Sequence, residues 1–299
     1  MKTQNPLVQT YLATLKYKAA GTLVSYSRAL DAFLLWLKKL TDEEFQPEQF
    51  TKTAVETYFT ELEQRYSVSY RTLVKAALSG FANWLVDEDL LRRNPTHNLH
   101  IEAQPQLAPR VLTEPQRFIL KQLVERADDR RADALFALGY YAGCRVSDVS
   151  WLTLEDTHLS ARSGWIRVGY KGGKFREIDL AQPVRHALQV YLHDRTADSP
   201  FVFPSQRADR LSEAGIHHWF RNLKTSANAK DYAEIEAISY HDLRHDFAHR
   251  VREAGWNLEE IAYYLGHITK RGTPAIQTTV RYTQVGREQV KAKLSRLRG

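Results

Sequence analysis

Among the 299 residues there is a single cysteine, Cys144, so no disulfide can form within the chain, which suits a reducing compartment. Long apolar runs are also missing. Stretches such as Phe33 to Leu37 fall far short of the roughly 20 residues that a membrane span needs, and the N-terminus lacks the apolar core of a signal peptide. No internal repeat and no low-complexity tract appears. These absences exclude a disulfide scaffold, a helical membrane protein and a repeat array. The expectation is a cytoplasmic protein with no membrane partner.

What is present is enough for two folded domains, with 43% hydrophobic and 11% aromatic residues. The net charge of +7 is unevenly distributed. Residues 1–105 hold 12 Lys and Arg against 12 Asp and Glu, and the remaining residues hold 30 against 23. A basic second part points to a polyanionic partner.

Helical periodicity dominates. Leu7, Tyr11 and Leu15 recur on one face, Gly21-Thr22 is expected to break that pattern, and Tyr26, Leu30, Phe33, Leu34 and Leu37 form a second stripe. Thr53 to Gln64 and Ser69 to Val86 complete a four-helix bundle, whose aromatics are read as core packing in preference to base stacking because they keep helical period. Arg92-Arg93-Asn94-Pro95 ends the bundle, and two prolines between Glu102 and Pro109 mark a linker. The division expected is 1–101, a linker at 102–110, and 111–299.

Beyond the linker, Thr113-Glu114-Pro115 has the form of a helix start, with the helix continuing from Phe118 to Ala127. Ala132 to Ala142 is a second, strongly apolar helix. Further helices are expected at Val184–Leu192, Ser212–Ala227, His241–Ala254 and Leu258–Leu265. Trp165–Tyr170 and Phe175–Leu180 are strand-like and flank Lys171-Gly172-Gly173-Lys174, good turn chemistry for a hairpin. The fold class is mainly α with a small β-hairpin, an α+β arrangement.

The chemistry gathers in the last third. His241-Asp242-Leu243-Arg244-His245 opens an amphipathic run, followed by Leu265-Gly266-His267 and by Thr278-Thr279-Val280-Arg281-Tyr282. Arg244 offers a planar fork of donors for a phosphate, His241 and His267 can move protons, and the Tyr282 phenol can attack phosphorus. A phosphodiester and its transition state need more positive charge than one arginine supplies. Gly143-Cys144-Arg145-Val146-Ser147-Asp148 supplies a second arginine, with Asp148 three residues on as its expected buried partner. Lys171 adds a lysine at the hairpin tip, with Lys174 its rival. The reading is phosphoryl transfer through a protein-bound ester.

The order Arg145, Lys171, His241-x-x-Arg244, Leu265-Gly266-His267, Tyr282 resembles the tyrosine recombinases, the phage integrases and bacterial chromosome-dimer resolvases. The resemblance is close from residue 111 onward and general before it. It implies an N-terminal helical domain that binds core DNA and closes with the catalytic domain around a duplex. Tyr282 would form a 3′-phosphotyrosyl link, Arg145 and Arg244 would hold the non-bridging oxygens, and Lys171 would be general acid. His241 and His267 would complete the catalytic set, with neither assigned as the base. The implied partner is double-stranded DNA with an inverted-repeat core site, bound by a homotetramer in which the C-terminal tail is exchanged, and accessory proteins are further candidates. No cofactor or metal is implied. One departure is an unusually long interval between His267 and Tyr282, where Lys270-Arg271-Gly272-Thr273-Pro274 reads as a loop extension.

Other readings compete. A type IB topoisomerase would use the same chemistry without a partner site. His241, His245 and His249 fall at i, i+4 and i+8, a spacing for zinc in a hydrolase, although Arg244 lies inside that motif and Asp242 is shorter than the glutamate such sites use. A non-catalytic DNA-binding protein would leave the filled catalytic positions unexplained. Cys144 as nucleophile has no dedicated partner set, and packing is its simpler role.

Overall fold

In the computed structural model the described residues are 5–102, 111–169, 175–267, 269 and 273–282, with 281 and 282 described by main chain alone. They form two compact units, Met1–Pro105 and Gln106–Gly299.

The first unit is a helical bundle: α1 (Pro6–Thr14), α2 (Ala20–Thr41), α3 (Lys52–Arg65) and α4 (Val68–Asp87), with one short 3-10 turn at Pro47–Gln49. Local chemistry sets the starts. Asn5 accepts from Leu7 N and Val8 N ahead of Pro6, Thr51 accepts from Ala54 N, and Ser67 accepts from Tyr70 N. Gly21-Thr22 does not break the pattern as expected. Both residues lie in the first turn of α2, where helical hydrogen bonds are not yet all required, and the break falls earlier, between Thr14 and Ala20. The aromatics serve the core. The Phe33 ring lies 5.0 Å from Phe50 and 5.1 Å from Tyr58, and Tyr11 lies 5.5 Å from Phe81.

The second unit is built around α6 (Arg130–Tyr140), in which eight of 11 residues are buried. Before it comes α5 (Glu114–Ala127), opened by a capping box in which Thr113 and Gln116 satisfy one another's backbone N–H. After it come α7 (Val146–Trp151) and a three-stranded antiparallel sheet: β1 (Thr157–Leu159), β2 (Gly164–Val168) and β3 (Arg176–Asp179), in the order β1-β2-β3. The expected hairpin pair is thus β2 and β3, with Ile166 facing Ile178 and Val168 facing Arg176. Strand β1 is an addition to the expected hairpin. The remaining helices are α8 (Gln182–His193), α9 (Glu213–Thr225), α10 (Ala229–Ile235), α11 (Tyr240–Glu253), α12 (Leu258–Leu265) and α13 (Ile276–Tyr282). Helix α10 is a short addition, and the buried Lys224 ammonium closes its end by donating to the carbonyls of Ile235, Glu236 and Ile238.

One contact positions everything that follows. Gly139 lacks the Cβ that would meet Tyr240 Cζ and Oη at 2.9 Å, so the first residue of α11 packs closely on α6. Tyr240 Oη then donates to the Leu135 carbonyl at 2.6 Å, which satisfies the only polar atom of that buried side chain.

Candidate active site

Three turns converge on the N-terminal half of α11. The first joins α6 to α7 and carries Gly143, Cys144 and Arg145; the second follows α12 and carries Gly266 and His267; the third is the start of β3, at Arg176. Gly143 has φ +60, and a Cβ there would come within 2.5 Å of Phe247, so glycine alone allows this turn to lie against α11.

Arg244 is the centre of the cluster and has no exposed surface. A buried guanidinium must be compensated, and here main-chain carbonyls contribute: Nη1 donates to Gly143 O and Nη2 to Leu265 O, both at 2.6 Å. Nη2 also lies 3.1 Å from His267 Nε2. Since a guanidinium can only donate, Nε2 is the acceptor and the proton of a neutral imidazole sits on Nδ1. That Nδ1 lies 3.1 Å from Thr279 Oγ1, and the hydroxyl in turn donates to the Ala275 carbonyl. Burial, with the charges of Arg244, Arg145 and Arg176, lowers the His267 pKa to about 3. His267 therefore binds Arg244 as a neutral acceptor and ties it to α13.

Arg145 begins α7 and extends its Nη2 to the Gly266 carbonyl at 3.3 Å. Asp148 is buried, as expected of a supporting residue, but its contacts differ from the expectation. It accepts from the backbone N–H of Arg145 at 3.1 Å, and its ion pair is with Arg176, at 2.8 Å. The reason is local: three residues into a helix a carboxylate is well placed to cap the N-terminus, which leaves its other lone pairs directed at the strand. Arg176 has no local sequence signal, since nothing in its own neighbourhood distinguishes it from any strand arginine.

His241 sits one turn before His245 on the same face, their rings edge-on at 4.6 Å between centroids. Burial first, and the Arg244 charge second, lower the His241 pKa, while burial and then His241 bring His245 down to about 4. The zinc reading is not supported. Asp242 accepts from Ser239 N and Oγ at 2.7 Å as the capping box of α11, and His249 Nδ1 lies 3.2 Å from Glu253. Among the described residues no group of three or more His, Cys, Asp or Glu is arranged to hold a metal ion. The Cys144 thiol is buried and pushed up to about 12, which leaves it without nucleophilic thiolate at neutral pH.

The long interval after His267 is bridged by two backbone hydrogen bonds. Thr269 N donates to Thr273 O at 2.8 Å and Ala275 N to His267 O at 2.6 Å, so the chain returns to His267 just before α13 starts. Tyr282 is the last described residue of α13, one turn beyond Thr279. Its side chain, the hairpin tip with Lys171 and Lys174, and the tail at 287–299 lie outside the described residues.

Residues 110–289 match the phage integrase family, and residues 7–91 match the phage integrase N-terminal SAM-like domain. The chain is 27% identical over 281 residues to the tyrosine recombinase XerC of Neisseria gonorrhoeae, covering 90% of this chain and 88% of that one. Among solved structures it is similar to the XerA recombinase, with a TM-score of 0.52 at 26% identity over 98% of this chain and 99% of that one. It shares the fold of a lambda integrase tetramer bound to a Holliday junction, with a TM-score of 0.69 at 16% identity over 91% of this chain and 76% of that one. The family match takes in more than half of the chain and every element that converges on Arg244, and the chain therefore belongs to the phage integrase family and is a tyrosine recombinase.

Proposed function

We propose that this recombinase cuts one strand of a specific DNA site with the hydroxyl of Tyr282 and rejoins it to a partner strand. The phenol oxygen bonds to phosphorus as the 5′-oxygen leaves, giving a 3′-phosphotyrosyl link. A new strand's 5′-hydroxyl then displaces the tyrosine. The ester keeps the energy of the phosphodiester, so the scheme needs neither metal nor nucleotide.

The observation that carries this reading is the Arg244–His267–Thr279 chain, which holds a phosphate-binding type of side chain to the helix that carries Tyr282. Arg145 and Arg244 stabilise the charge on the non-bridging oxygens. A phenol has a pKa of about 10 and must lose its proton during attack. With His267 Nε2 accepting from Arg244, His241 is the better candidate to receive that proton. Lys171 protonates the leaving oxygen, and Asp148 supports Arg145.

Four copies exchange strands between two sites, each copy passing its tail at 287–299 to a neighbour, and residues 1–101 form a second DNA-binding body joined by the linker at 102–110. The lambda integrase tetramer on a Holliday junction supports the DNA partner and the assembly by likeness of fold. An inverted-repeat core site fits such a symmetric assembly, and accessory proteins would add direction. DNA substrate and a single cysteine both fit the cytoplasm.

The test is covalent trapping. Incubation with a nicked duplex carrying the site should leave protein attached to a 3′ end, and peptide mapping should place the adduct on Tyr282. An adduct on another residue would reject the assignment.

A further inference from the structure

Arg176 opens β3 and reaches two of the turns that build the site. Its Nη2 donates to Asp148 at 2.8 Å, and its Nε donates to the Tyr264 carbonyl at 3.2 Å. The side chain is only 15% exposed, against 5% for Asp148, so the ion pair is shielded from water. Gly266 lies directly beneath it. A Cβ there would come within 2.7 Å of Arg176 Cδ and 2.9 Å of Nε and Nη1, and the φ of +66 excludes most other residues independently. The glycine of Leu265-Gly266-His267 thus makes room for Arg176.

We propose that Arg176 is a positioning residue for strand cleavage, which sets the α7 start bearing Arg145 through Asp148 and the turn bearing His267 through Tyr264 and Gly266. Asp148 accepts from the Arg145 backbone and from Arg176 on the same oxygen, Oδ2. Arg145 in turn donates to the carbonyl of Gly266, the residue packed beneath Arg176. The four groups form a closed loop, and moving one displaces the others. Nε and Nη2 of Arg176 are both engaged by protein groups, and these contacts are what give it a holding role. This inference rests on the roles given above to Arg145 and His267.

Lysine cannot replace the fork, because one ammonium on a flexible stem does not reach a carboxylate and a carbonyl in the fixed geometry of a guanidinium. A displacement of about 1 Å at the reacting groups costs on the order of 100-fold in rate.

The experiment uses the full chain and a nicked duplex carrying its site, with single-turnover formation of covalent complex read beside equilibrium affinity and thermal midpoint. Arg176→Met should lower the cleavage rate on the order of 100-fold, with affinity within about threefold, since phosphate contacts made elsewhere dominate affinity. In an Asp148→Asn background the same change should cost much less than it does alone, because the two residues act as one unit. Should Arg176→Met fail to fold, Arg176→Lys decides, with a loss of about tenfold or more expected. A wild-type cleavage rate in either variant, a loss of affinity equal to the loss of rate, or full additivity with Asp148→Asn would overturn the proposal. Arg145→Ala is the control: wild-type cleavage there overturns the reading of the site itself, whereas an inactive Arg145→Ala beside a fully active Arg176→Met overturns only the role of Arg176.

Discussion

The Asp246 carboxylate, wholly buried on α11, accepts both Nε and Nη2 of Arg117 on one oxygen, at 3.0 and 2.8 Å. The same oxygen accepts from Leu112 N at 3.2 Å, and the other accepts from Arg250 Nε at 2.8 Å. Arg250 lies over the Tyr140 ring, 4.0 Å from its centroid. The helix that carries His241 and Arg244 is thereby fixed to the start of α5 and to the end of α6.

Removing this carboxylate leaves two largely buried arginines without their counter-charge. Asp246→Ala should destabilise the second unit by roughly 3–5 kcal/mol, and Arg117→Met by less, since Arg250 and Leu112 still satisfy Asp246. Urea denaturation followed by hydrogen exchange in α11 checks this. An Asp246→Ala transition within about 1 kcal/mol of wild type would show the cluster to be energetically idle.

Tyr282→Phe removes a hydroxyl and leaves the arginines in place. Covalent attachment to nicked DNA should disappear, while affinity for the site stays within a few fold. Covalent complex formed by the phenylalanine variant would mean that another residue is the nucleophile.

Lys171→Ala should be slow on an ordinary substrate and recover on one with a 5′-thiolate leaving group, which needs no proton. Equal slowing on oxygen and sulfur substrates would reject the general-acid role, and recovery by Lys174→Ala instead would transfer it.

The histidines make the fold acid-sensitive. His267 has a folded pKa of about 3 against an ordinary 6.5. Between those values the unfolded chain binds a proton that the folded chain refuses, so stability is fully present above pH 6.5 and falls as the pH drops through that window. His245, at about 4, and His241 shift in the same direction. His267→Gln, neutral at every pH and still able to accept from Arg244, should lose less stability than wild type between pH 6.5 and 4. Identical slopes of stability against pH would show that His267 takes no part in the loss.

Deleting residues 287–299 removes Val290, Leu294 and Leu297, an apolar stripe at helical spacing among Lys and Arg. The truncated chain should fold and bind one site as a monomer, yet lose cooperative assembly and strand exchange. Analytical ultracentrifugation with DNA distinguishes the cases: a truncated protein that still forms the tetramer, or that unfolds, speaks against an exchanged tail.

Much of this protein is written locally. Pro6, Pro115 and Pro183 in first helical turns, and Ser, Thr or Asn ahead of most helices, mark where helices begin, because the first N–H groups have no partner within the helix. The order of Arg145, His241, Arg244, His267 and Tyr282 is equally plain in the sequence, since each sits in a short recognisable stretch. What the tertiary structure alone decided are the partners. Strand β1 is three residues long and exists only by pairing with Gly164–Ile166. Asp148 meets Arg176 across 28 residues, Arg176 meets Tyr264 across 88, and Asp246 meets Arg117 across 129. A charged residue carries no local sign of which distant charge it will face. That choice is made when the core brings α6, α11 and α12 together and excludes water from the space between them, leaving each buried charge stable only where a counter-charge or a set of hydrogen-bonding groups meets it.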